Sequence, residues 1–155
     1  MVSGRAGRAA DALARASGWA MAAILIALVA IDVAQVGLRY ALGAGWPWAG
    51  DLTIVLLLSL AWIGAGHLWL RSAHIGVRLL PARAARRADA AFALLALAAI
   101  GVALPMVWQA VRLYGAIDLP ALPLPMSAKF VPVLGGLVWL AAAIALRAAA
   151  RRPAG

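Results

Sequence analysis

Residues 52–70 form a run of nineteen positions without a charged side chain. At 1.5 Å per residue, an apolar helix of that length crosses the hydrocarbon core of a bilayer, which is ~30 Å thick. Both ends of the run are marked. Trp46, Trp48 and Asp51 precede it, and Trp69 and Arg71 close it, as amphipathic rings and cations do at headgroup level. Ser59, Gly64 and Gly66 within it are small enough to let a neighbouring helix approach closely. A basic segment then follows, 71–78, carrying His74.

The same design recurs three more times, with spans expected at about 18–38, 90–113 and 130–146. A signal peptide also starts with basic residues, but its apolar region is only about 7–15 residues. The first apolar run here is longer, so an uncleaved helix after a short polar tail at 1–17 is expected. The 41–50 turn, rich in Gly and carrying Pro47, makes the first two spans an antiparallel hairpin. Pro105 removes a backbone donor inside the third span, where a kink is expected. Pro120, Pro123 and Pro125 rule out a continuous helix in the 114–128 connector and favour a stiff, extended one. The expected fold is one all-α integral membrane domain, 1–155, with four transmembrane helices.

Charge sets the orientation. The net charge of +9 suggests nucleic acid, but only 12% of the residues are charged, against about 25% in soluble domains. The cations also flank apolar spans. Nucleic acid is therefore not an expected partner. Arg5, Arg8, Arg15, Arg71, Arg78, Arg83, Arg86, Arg87, Arg147, Arg151 and Arg152 fall on one side, and Arg39, Arg112 and Lys129 on the other. Eleven against three in short segments places both termini and the 71–89 segment in the cytoplasm. That segment reads as an interfacial amphipathic helix, with Ile75, Leu79 and Leu80 toward the acyl boundary and Arg78 toward phosphates. It reads equally as a positively charged loop.

Little in the spans can carry chemistry. With no cysteine in the chain, disulfides, thiolate catalysis and thiolate metal sites are excluded. His67 and His74 are seven apart, and no third histidine exists to face them from another helix, so a haem or metal pair is disfavoured. Spans two to four hold no acid, and no nucleophile stands beside a base. Neither a catalytic residue, a cofactor nor a metal is expected. Asp32, Gln35 and Arg39 share one face of the first span. An ionised Asp inside a span costs ~2.5–3.5 kcal/mol on insertion scales. Its readings are a proton or ion relay, or a packing contact near the outer boundary, with Asp32 toward Arg39. Transporters with midplane sites show broken helices in repeated halves. Here only Pro105 interrupts a span, which suits an accessory subunit better than a self-sufficient carrier.

A family pattern runs through these features. Arg39-Tyr40, a Gly-containing turn, Trp46, Asp51, an apolar helix with Trp62 and Gly64, then Ala73-His74-Ile75-x-Val77-x-Leu79-Leu80 resembles the DctQ-like small membrane subunit of TRAP transporters. The likeness covers roughly 30–146 and is most specific after the second span. The family usually has Glu where Asp51 stands and an acid where Arg78 stands. The resemblance implies a small inner-membrane subunit, not an enzyme, of a tripartite system importing organic acids with a sodium gradient. Its implied partners are a large permease, whose scaffold it braces, and a periplasmic substrate-binding protein. By the same resemblance, Arg39, Trp46, Asp51 and Gly64 are partner-contact candidates, while His74, Ile75, Val77, Arg78 and Leu79 anchor the chain to membrane lipid. A small subunit of the tripartite tricarboxylate transporters, and a free-standing small transporter, share the gross topology.

Overall fold

The computed structural model describes residues 5–71, 82–119 and 125–150. Four helices, α1 (Arg5–Leu42), α2 (Ala49–Leu70), α3 (Ala82–Tyr114) and α4 (Val131–Ala150), account for most of these. Each contains a segment long and apolar enough to cross a membrane. A 3₁₀ turn, Met126–Phe130, leads into α4.

The helices are of unequal length. At 1.5 Å per residue the 38 residues of α1 extend about 57 Å and the 20 of α4 about 30 Å. The excess of α1 corrects one expectation: residues 5–17 are helical and not a polar tail. Their sequence, RAGRAADALARAS, is rich in strong helix formers. Extending an existing helix also avoids the nucleation cost. In the same way α3 begins at Ala82, so the second half of the 71–89 segment runs straight into the third span. Helix α3 continues unbroken through Pro105.

The first turn is closed by a local rule. Gly43 follows the end of α1 with φ +62°, and its N–H donates to the Arg39 carbonyl at 3.1 Å. This is a left-handed cap, a conformation that glycine adopts without a Cβ penalty. Six residues later α2 starts, so α1 and α2 pack antiparallel, with residue 32 opposite 53 and residue 17 opposite 67.

Helices α2 and α4 run parallel. Their contacts advance together along both chains: Asp51 with Lys129, Trp62 with Gly136, Gly66 with Trp139, and Trp69 with Arg147. Parallel neighbours require a crossover, and α3 supplies it. It packs on α4 and on the 3₁₀ turn, where Tyr114 and Phe130 stack at 5.7 Å. Past α3 the chain doubles back, the Ile117 carbonyl accepting from the N–H of Met126 at 2.6 Å. Pro125 has φ −64° and ψ 145°, an extended conformation; Pro120 and Pro123 lie outside the described residues.

Small residues supply the interior. Ala14, Ala49, Ala143, Gly64 and Gly66 are buried, together with Leu119, Leu137 and Ile144. Large apolar side chains point outward instead, among them Trp19, Ile26, Phe92 and Met106. That inversion suits a lipid solvent, where close backbone approach, not burial of large side chains, drives association.

Candidate functional site

The polar and small residues of the bundle form four levels from one end to the other. At the end nearest the 43–48 turn, Asp51 lies in the first turn of α2, where the helix dipole favours an acid. Its carboxylate accepts from Lys129 Nζ at 2.8 Å, and both side chains are largely shielded. Trp46 stacks on Trp48 with 5.2 Å between ring centroids, and its carbonyl accepts from Gln35 Nε2 at 3.5 Å. Arg112 lies 5.4 Å from the Trp108 ring, a cation–π contact one helical turn away. Arg39 is exposed, and no side-chain partner meets it among the described residues.

About half a turn further along α2, Thr53 Oγ1 donates to Asp32 Oδ1 at 3.0 Å. Thr53, and not Arg39, therefore holds this acid. Asp32, Gln35, Val36 and Arg39 together line a shallow groove along α1.

The middle level joins α2 to α4. A Cβ on Gly66 would run into the Trp139 indole, and one on Gly136 into Trp62. Each helix thus seats a tryptophan of the other where only glycine leaves room. The Trp139 indole N–H also donates to the Ile63 carbonyl at 3.2 Å, which satisfies its polar end inside the span. Gly64 faces the other way: a Cβ there would stand 3.4 Å from Met21 of α1.

At the far end Ser17 bridges two helices. Its hydroxyl donates to the Ala14 carbonyl at 3.1 Å, and its oxygen lies 2.9 Å from His67 Nδ1. A hydroxyl has one proton. The Ser17 proton can serve Ala14 or His67 but not both, so the direction of the Ser17–His67 bond follows the imidazole tautomer. Arg147 Nη1 donates to the Trp69 carbonyl at 2.6 Å, placing a cation on the C-terminal end of α2.

Of the residues singled out from sequence, Asp51 and Trp46 stand at one end and Arg39 lies beside the same turn. Gly64 sits apart, on the α1–α2 seam. His74, Ile75, Val77, Arg78 and Leu79 lie outside the described residues. Sequence reasoning passed over Thr53 and Ser17; it counted Lys129 and marked Gly66 as a close-approach position, without pairing them with Asp51 and Trp139. The spacing of Trp62 and Gly66, four apart, against Gly136 and Trp139, three apart, is the signal that pairs these helices. Among the described residues no three His, Asp or Glu side chains converge as metal ligands would.

The family model for the DctQ component of tripartite ATP-independent periplasmic transporters matches residues 28–152. The chain belongs to this DctQ family. It is a component of a transporter and not an enzyme, and its place is the inner membrane. TRAP systems of this kind are tripartite, with a large permease and a periplasmic binding protein beside the small subunit. No curated protein matches the chain.

Proposed function

We propose that this small subunit braces the scaffold of the large permease while that permease imports organic acids, carboxylates among them, using a sodium gradient. In this reading both termini and the 71–89 segment are cytoplasmic, in line with the eleven-to-three distribution of cations. The chain acts as a single membrane domain over 1–155. The periplasmic binding protein approaches from the side of the 43–48 turn, near Arg39, Trp46 and Asp51. Residues His74, Ile75, Val77, Arg78 and Leu79 hold the opposite surface to lipid.

One observation carries the proposal. The polar contacts within the described bundle tie helix to helix: Asp51 to Lys129, Asp32 to Thr53, Ser17 to His67, and Trp139 to the backbone of α2. A component that moves substrate keeps such groups available for ligands. Groups engaged in inter-helix bonds instead stiffen a support.

The test uses proteoliposomes containing the large permease with and without this chain, supplied with binding protein and labelled carboxylate. Uptake that requires both a sodium gradient and the small subunit supports the reading. Uptake by this chain alone, without the permease, contradicts it. Reporter fusions after Gly155 and near Pro123 should report opposite sides of the membrane.

A further inference from the structure

The Asp32 groove is a polar strip on a helix face that is otherwise apolar and outward. Thr53 supplies one donor to Oδ1 of Asp32, and Oδ2 has none among the described residues. Arg39, at the top of the same groove, has no side-chain partner among them either. Seven residues separate the two, about 10 Å along the helix axis. Between and beside them Val33 and Val36 are 66% and 55% exposed. An acid at this depth is stable only against protein or a route to water.

The charge order excludes two occupants. Acyl chains offer no donor to Asp32, and a lipid phosphate would repel it. A second copy of this chain in the same orientation, related by an axis along the membrane normal, puts each residue at the depth of its twin. Asp32 would then meet Asp32, and Arg39 would meet Arg39. What fits is a different helix, with a cation at the depth of Asp32 and an acid or carbonyl nearer the surface for Arg39.

Resting on the small-subunit reading above, we infer that this α1 face, centred on Asp32, Val36 and Arg39, is the seat of a transmembrane helix of the large permease. That helix carries a Lys or Arg opposite Asp32. Recognition is by charge as well as by shape, because removing one member of a shielded ion pair leaves the other uncompensated.

The experiment uses the complete transporter in native membranes. A photo-reactive phenylalanine derivative replaces Val36 in one strain and Val102, 64% exposed on α3, in another. Irradiation should join position 36 to the large permease. In parallel, Asp32→Asn keeps an oxygen for Thr53 but removes the charge. Both Asp32→Asn and Asp32→Leu should lower the permease retained on the tagged small subunit by about tenfold at unchanged subunit abundance. Crosslinks from position 36 to lipid alone, or to a second copy, overturn the inference, and so does Asp32→Asn retaining permease like the unsubstituted chain. Position 102 crosslinking to the permease while 36 does not moves the seat to α3 and also overturns it. If the unsubstituted subunit retains no permease, the bracing reading falls with it.

Discussion

Trp139 of α4 fills the space that the missing side chain of Gly66 leaves on α2. The mirror contact, Trp62 against Gly136, lies about one turn away. In a bilayer this reciprocal seating provides the dispersion contact that water would otherwise drive by exclusion. Its strength depends on glycine at two positions.

Gly66→Val should therefore lower the thermal stability of the purified chain by an amount corresponding to about 1–3 kcal/mol, the range for overpacking a fitted contact. Gly101→Ala on α3, where an added Cβ meets nothing within 4 Å, should leave stability unchanged or raise it by up to ~1 kcal/mol through helix propensity. Tryptophan emission followed through a thermal melt in detergent separates the two outcomes. Equal effects would remove the packing explanation.

The Asp51–Lys129 pair ties the start of α2 to the turn before α4. Lys129→Gln should reduce stability by about 0.2–1 kcal/mol, as partly shielded pairs do. Exchanging the two residues should recover only part of that loss, since a lysine in the first turn of α2 opposes the helix dipole. Denaturation midpoints of Asp51→Lys, Lys129→Asp and the exchange give the coupling directly. Asp51→Asn should also weaken co-purification with the large permease, while substrate affinity of the binding protein stays unchanged. A change in the number of sodium ions moved per substrate would contradict a supporting role for this residue.

With the Ser17 hydroxyl donating to the Ala14 carbonyl, His67 would donate from Nδ1 to Ser17. Nitrogen-15 spectra of labelled imidazoles, with His74→Gln to leave one signal, should show Nδ1 protonated. Ser17→Ala should cost about 1–3 kcal/mol by stranding that donor. Adding His67→Leu to it should cost less than the sum of the single changes, because both polar partners leave together.

The 74–80 segment is testable because the chain contains no cysteine of its own. Single cysteines from Ala73 to Leu80 should react with a water-soluble thiol reagent in a periodic pattern. Labelling that drops at 75 and 79 and rises at 76 and 78 identifies a surface anchor. Uniform labelling identifies a solvated loop.

Four spans were legible in the chain because length, apolarity and flanking Arg and Trp are properties of contiguous residues. The contacts among the spans were not. Lys129 counted toward orientation, but its partner Asp51 lies 78 positions away and is reached only once α2 and α4 stand side by side. Asp32 pointed by sequence toward Arg39, two turns up its own helix. Thr53 on the neighbouring helix is nearer in space, and nothing in α1 announces it. The start of α1 at Arg5 was missed for another reason. Polar residues ended the membrane span there, and an alanine-rich helix does not have to stop where the membrane does.

The parallel pairing of α2 and α4 has a consequence for biogenesis. The ribosome releases α2 before α3 exists, and α4 emerges after both. The Trp62–Gly66 face thus enters the bilayer with its eventual occupant still unsynthesised. At ~5–20 residues per second the wait lasts on the order of several seconds, and throughout it only the α1–α2 hairpin can be assembled. Chains arrested before residue 131 would leave Trp62 and Gly66 without Gly136 and Trp139, the residues that fill the face between them.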